Sequence, residues 1–217
     1  MRKISNDQIV AKIQNENPWW SDPHQIQESI SKLKPRPYLT LLEPLVTQES
    51  IRRAVVLMGP RRVGKTVLIH HLIGQLISDG IHPQRICYFS VDHPIYNGLS
   101  LEDFIEYFRK STGIDFAHDS IYIFFDEIQY LKNWETHLKS IVDTYYKNVK
   151  ILVSGSAAAA LRLKSSESGA GRFTDFILPP LTFYEYLYLL DDDTLVCDKI
   201  DGKDNWVIED PSEFNNR

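Results

Sequence analysis

Apolar positions along the chain fall into short continuous runs, separated by stretches whose apolar residues recur at helical spacing. Val55-Val56-Leu57-Met58, Ile86-Cys87-Tyr88-Phe89-Ser90-Val91, Ile121-Tyr122-Ile123-Phe124-Phe125 and Val149–Val153 are such runs, and a fifth lies near 173–178. Runs this short and this continuously apolar predict strands covered on both faces. Between the first two, residues 65–79 place Val67, Leu68, Leu72, Ile73 and Leu76 on one helical face and stop at Gly80. Ser100 is placed to cap a helix carrying Leu101, Phe104, Ile105 and Phe108, and Asn133 one carrying Trp134, Leu138, Ile141, Val142 and Tyr145. A short helix is predicted over 157–164. Thr182 and Glu185 form a capping box for a last helix over Phe183–Leu190. Strands alternating with helices predict right-handed crossovers and a parallel sheet, hence an α/β domain over 46–190. Ligands of such sheets bind outside the carboxyl ends of the strands.

Residues 1–45 read as a helical arm ahead of that domain. Ile9, Val10 and Ile13 share a face of a short helix over 5–14, and Asn17-Pro18-Trp19-Trp20 then stops it with two large rings. Asp22, Pro23 and Gln25 suit the start of a second helix, which Pro35 and Pro37 end. Past Leu190 the character changes. Residues 191–217 hold nine acidic and three basic residues, a net of −6, so the other 190 residues carry about +1 of the formal total of −5. This tail reads as a solvated, loosely ordered segment or as the start of a further domain.

Composition narrows the function classes. Hydrophobic content of 43% and charged content of 24% are those of an ordinary globular chain. No stretch approaches the roughly 20 apolar residues of a membrane span. The polar start MRKISNDQIV is no signal peptide. Two lone cysteines, Cys87 and Cys197, suit a reducing cytoplasm. No broad basic face is present, so nucleic acid is not indicated as a partner.

The polar signatures gather at the ends of the runs. Gly59-Pro60-Arg61-Arg62-Val63-Gly64-Lys65-Thr66, followed by Val67, fits G-x-x-x-x-G-K-[ST] between an apolar strand and an amphipathic helix. Glycines let the backbone curl so that N–H groups point at phosphate oxygens, and the helix beginning there presents its positive end. Lys65 suits the β- and γ-phosphates, and the Thr66 hydroxyl suits magnesium. Arg61 and Arg62 can meet phosphate or remain solvated loop charges. The third strand ends in Phe124-Phe125-Asp126-Glu127. Asp126 would hold the metal, and Glu127 would polarise an attacking water. A base beside the γ-phosphate favours hydrolysis over phosphoryl transfer to an acceptor hydroxyl. No Asn-Lys-x-Asp guanine-reading motif occurs. At the fourth strand's tip, Ser154 and Ser156 are candidates to orient water or sense the γ-phosphate, and Ser156 can equally cap the following helix. Arg172 just before the fifth strand is placed either as a surface charge or to stabilise transition-state charge on a neighbouring subunit's nucleotide.

Taken in order, GPRRVGKT, FFDEIQYLKNWE, VSGS, SGAGRF, LPPLTFYEYL and the NPWW of the arm resemble the prokaryotic AAA-type P-loop ATPases over about residues 15–190. The resemblance implies a three-layer RecA-like sheet of order 5-1-4-3-2 with ATP and Mg2+ as ligands. It also implies roles for Lys65, Thr66, Asp126 and Glu127 in catalysis and metal binding, for Ser154 or Ser156 as sensor, and for Arg172 as finger. Two departures stand out. Four alanines follow Ser156 where the family usually has another hydroxyl, and the C-terminal lid with its second sensor arginine has no counterpart before Arg217. A downstream domain or a protein partner is expected to supply it. The expected function is ATP hydrolysis that drives a conformational change in the protein or a partner. The alternative is a nucleotide-gated interaction switch with little turnover.

Overall fold

Strand β1 (Ala54–Met58) is buried at all five positions, and β3 (Ile121–Asp126) at all six. Strands β2 (Ile86–Ser90), β4 (Val149–Gly155) and β5 (Phe173–Ile177) complete a parallel sheet of order β2-β3-β4-β1-β5, the order the resemblance implied. The computed structural model describes residues 5–30, 32–48, 53–116, 120–145, 148–156 and 171–191, together with β6 (Val196–Cys197) and β7 (Val207–Ile208). The helix predicted over 157–164 lies outside the described residues.

Alternation along each strand divides the core into two layers. Val56, Phe89, Ile123, Phe125, Ile151 and Val153 face one side. There they pack against helices α1 (Asn6–Glu16), α5 (Leu101–Thr112) and α6 (Trp134–Tyr145). Val55, Leu57, Tyr88, Tyr122, Phe124 and Leu152 face the other side, against α2 (His24–Ile30), α3 (Leu39–Thr47) and α4 (Lys65–Ser78). With both faces covered, polar residues on these strands have room only at the tips, which concentrates the chemistry there.

The N-terminal segment covers the outer edge of β2. The Asn17 side chain accepts from the Tyr88 N–H at 2.6 Å and donates to the Tyr88 carbonyl at 2.9 Å, doing for that residue what a neighbouring strand would do. The indole N–H groups of Trp19 and Trp20 both donate to the Ile86 carbonyl, at 3.1 and 2.7 Å. An edge strand whose polar groups are satisfied this way offers no template for pairing with another chain. Trp19 is 1% exposed and belongs to the α4 layer, whereas Ile9 and Ile13 belong to the opposite layer. The segment therefore wraps from one face of the sheet to the other.

Helix α3 was not foreseen, because Pro35, Pro37 and the internal Pro44 argue against a helix there. It forms because Leu42 and Val46, one turn apart, are buried against α4. Asn133 begins α6 through its backbone. The residue stands in the left-handed region at φ 53°, and its carbonyl accepts from Thr136 and His137 to start α6. The capping boxes of Ser100 and Thr182 both form, the latter opening α7 (Phe183–Leu189). Within the acidic C-terminal segment, β6 and β7 pair antiparallel, Val196 opposite Ile208.

Candidate functional site

The carboxyl tips of β1, β3 and β4 meet because those strands are neighbours in the sheet. From β1 the chain enters the loop 59–64. A side chain on Gly59 would meet the Leu178 carbonyl oxygen at 2.4 Å, so the close passage of the chain leaving β5 leaves room only for glycine. Gly64, at φ 91°, turns the loop into α4. Arg62 is also left-handed, at φ 64°, and both Arg61 and Arg62 are exposed. Lys65 is 5% exposed, and its ammonium donates to the Gly59 and Pro60 carbonyls, both at 3.0 Å. It therefore stands inside the curl of the loop, where a phosphate bound by the loop would find it.

Asp126 sits at the end of β3 among four donors. Its Oδ2 accepts from the Thr66 hydroxyl at 2.6 Å and from the Tyr88 hydroxyl at 2.9 Å. Its Oδ1 accepts from the Ser154 hydroxyl and from the Glu127 N–H, the latter at 3.2 Å. A carboxylate has about four acceptor positions, so these donors fix Asp126 completely. Burial and the adjacent Asp126 push the Tyr88 phenol well above its ordinary value, which keeps Tyr88 a donor. On α4, burial lowers the pKa of His70, while Asp126 opposes that shift. Thr66 Oγ1 and Asp126 Oδ2 are both hard oxygen donors. Magnesium takes such a pair together with substrate phosphates and waters, so the residues present fit that ion.

Glu127 follows in the left-handed region at φ 58°. Its N–H also lies 3.2 Å from Ser154 Oγ, so Ser154, fully buried, ties the tip of β4 to both acidic residues. Glu127 Oε2 accepts from the Gln129 side-chain amide, whose Oε1 accepts from the Ser156 N–H at 3.2 Å. Lys65, Thr66, Asp126, Glu127, Ser154 and Ser156 thus come together at one place.

Arg172 does not join them. Phe173 lies opposite Ala54 in the parallel pair β1–β5, so Arg172 precedes the amino ends of those strands, whereas the cradle follows the carboxyl end of β1. Five residues of strand separate the two by roughly 16 Å. Arg172 Nε lies 2.8 and 3.0 Å from the two carboxylate oxygens of Asp143 on α6, and the side chain is 41% exposed. Its guanidinium does not reach the cradle of its own chain, so a finger acting within one subunit is not available.

Beside the loop, a cavity of about 330 Å3 is lined by Leu33, Val63, Gly64, Val67, His71 and Leu189, among others. His71 Nε2 lies 2.8 Å from the Leu33 carbonyl, which can only accept, so that nitrogen carries the proton. His71 Nδ1 is buried and has no partner among the described residues.

Arg36 was not singled out from the sequence. It is 7% exposed and forms a two-pronged pair with Glu185 at 2.7 and 2.8 Å, while its third nitrogen donates to the Val63 and Pro179 carbonyls. One side chain from the N-terminal segment therefore holds the phosphate loop, the exit from β5 and α7 together. Arg36→Met leaves a buried carboxylate unpaired and is expected to cost about 3–5 kcal/mol in urea denaturation at neutral pH. Burial works to raise the Glu185 carboxyl, but the Arg36 guanidinium and the Thr182 N–H outweigh it and hold it below the ordinary 4.5. A carboxyl lowered by folding stabilises above its unfolded value and loses that contribution as pH falls through the folded one. Glu185→Gln is therefore expected to lower the melting temperature at pH 7 and to flatten its decline below about pH 4.5.

A family model described as AAA domain matches residues 51–187. The uncharacterized protein MJ1637 of Methanocaldococcus jannaschii is 35% identical over 138 residues, 64% of this chain and 28% of that protein. An uncharacterized protein of Haemophilus influenzae is 26% identical over 148 residues, 67% of this chain and 36% of its own length. The chain thus spans about a third of the curated relatives it matches. Among solved structures, a chain of the S. cerevisiae Hsp104:casein complex in its extended conformation superposes with a TM-score of 0.52 at 19% identity, covering 76% of this chain and 31% of that one. That likeness is one of fold. No helix among the described residues is long and apolar enough to cross a membrane.

Proposed function

The chain belongs to the AAA-domain family of P-loop ATPases, and from that premise we propose that it binds ATP with magnesium and hydrolyses it to drive a conformational change in itself or a partner. The observation that carries the reading is the bond between Thr66 and Asp126, 2.6 Å long, at the junction of the phosphate loop and the β3 tip. Sixty residues apart in sequence, these two oxygens stand where the phosphates and the metal of one nucleotide would meet them.

Loop N–H groups and the start of α4 bind the phosphate chain, and Lys65 contributes a positive charge at its β,γ end. Thr66 and Asp126 would hold magnesium, which neutralises charge developing on the phosphates. Glu127 takes the proton of the attacking water. Ser154 keeps the backbone of Glu127 and the carboxylate of Asp126 in register with β4. The cavity by His71 suits the base, being within the roughly 300–1,000 Å3 of small-molecule sites.

Arg172 contributes, on this reading, to the nucleotide of a second copy, after leaving Asp143. The assembly then carries the complete site. Phosphate release per chain is expected to rise with protein concentration. Arg172→Ala mixed with Glu127→Gln is expected to recover activity that neither has alone, because some mixed interfaces pair an intact base with an intact arginine. Specific activity that stays flat on dilution to the monomer would remove Arg172 from the site.

A further inference from the structure

We propose that Gln129 is a positioning residue, tying the carboxylate of Glu127 to the backbone N–H of Ser156 so that the tip of β4 sets where the base stands. The inference rests on Glu127 acting as the base.

Two contacts carry it. The Gln129 amide nitrogen donates to Glu127 Oε2, and its oxygen accepts from the Ser156 N–H at 3.2 Å. The orientation of that amide follows from its partners. A backbone N–H can only donate and an ionised carboxylate can only accept, so oxygen must face Ser156 and nitrogen must face Glu127. The planar amide of Gln offers a donor and an acceptor side by side, and Asn, which has the same group, is a methylene shorter. The frame beneath is firm. Ile128 is fully buried and anchors the short turn Ile128–Tyr130, while the Tyr130 and Leu131 N–H groups close it on Glu127 and Ile128 at 3.2 and 3.0 Å.

The consequence for Glu127 is geometric. With Oε2 engaged by Gln129, the carboxylate is held at one oxygen, and no described residue takes Oε1, which is left for water. The backbone of Glu127 is already tied to β4 through Ser154. Gln129 adds a second tie, to the residue that follows the same strand, at the side chain that does the chemistry. A shift of the β4 tip is thus transmitted to the base by two routes, through Ser154 to its main chain and through Gln129 to its carboxylate. Without the second route the carboxylate is free to rotate, and small misplacements of a reacting group cost one to two orders of magnitude in rate.

The test uses Gln129→Met, which keeps the size and removes both hydrogen-bonding functions, and Gln129→Glu, which puts an acceptor against Glu127. Steady-state ATP hydrolysis and the nucleotide-induced melting shift are measured for each. We expect Gln129→Met to lower kcat roughly 10- to 100-fold with KM for ATP and the melting shift unchanged. Gln129→Glu is expected to be at least as slow. Gln129→Met added to Glu127→Gln is expected to slow that variant no further, since Gln129 acts only through Glu127. A role in packing alone predicts wild-type kcat for Gln129→Met. That result beside an inactive Glu127→Gln overturns the proposal alone, as does a loss in the double variant that multiplies the two single losses. Wild-type turnover in Glu127→Gln overturns both this inference and the assignment of the base beneath it.

Discussion

Glu127→Gln is expected to bind ATP as the unaltered protein does and to turn it over roughly 100- to 10,000-fold more slowly, the usual contribution of a positioned general base. The substitution is nearly isosteric, and the left-handed backbone at residue 127 is set by the turn rather than by the carboxylate. The Glu127 N–H still reaches Asp126 and Ser154, so the oxygens that would hold the metal keep their geometry. Only the capacity to accept a proton is lost. Single-turnover measurement on preloaded protein separates this from a binding defect: nucleotide is retained and phosphate is not released. Turnover within a few-fold of the unaltered protein would mean that another group serves as the base.

Lys65→Ala is expected to abolish nucleotide binding. Its ammonium is buried in the curl of the loop, within 3.0 Å of two loop carbonyls, and other cations nearby do not replace it. Arg61 and Arg62 are exposed, and Arg36 is occupied by Glu185 and two carbonyls. At a nucleotide concentration a hundred times Kd, binding stabilises the folded chain by about 2.7 kcal/mol. For a chain of this size that is a rise of about 5–10 °C in melting temperature. The alanine variant is expected to melt at the same temperature with and without nucleotide. An undiminished shift in Lys65→Ala would locate binding elsewhere.

Most of the sheet was legible because β1 to β4 are buried on both faces, and a continuous apolar run such as Ile121–Phe125 permits little else. The phosphate loop was legible because its chemistry is local: eight consecutive residues carry both the turn and the donors. What the sequence concealed depends on residues far apart. Arg36 pairs with Glu185 across 149 positions, and nothing local to Pro35-Arg36-Pro37 tells a clamp from a surface charge. Glu185 was read only as the capping residue of α7, which it also is. Tyr88 carried a faint signal, since a phenol in an apolar run needs a hydrogen-bond partner. That the partner is Asp126 follows only from the pairing of β2 with β3. Asn17-Pro18-Trp19-Trp20 showed its apolar rings, while its covering of the β2 edge requires the sheet order to be known. The position of Arg172 in the chain suggested a surface charge or a finger for a neighbouring subunit, and the parallel register puts it at the far end of the strands from its own cradle.

On the proposed function, one nucleotide is held between the phosphate loop and the tips of β3 and β4, and is cut there. Rapid mixing of γ-labelled ATP with the folded chain, with and without magnesium, over a range of protein concentrations, addresses it most directly. Saturable binding, release of labelled phosphate only with magnesium, and binding without release in Glu127→Gln are expected. A folded chain that retains no label at millimolar ATP, or one that releases phosphate equally well with Glu127 replaced, would contradict the proposed function.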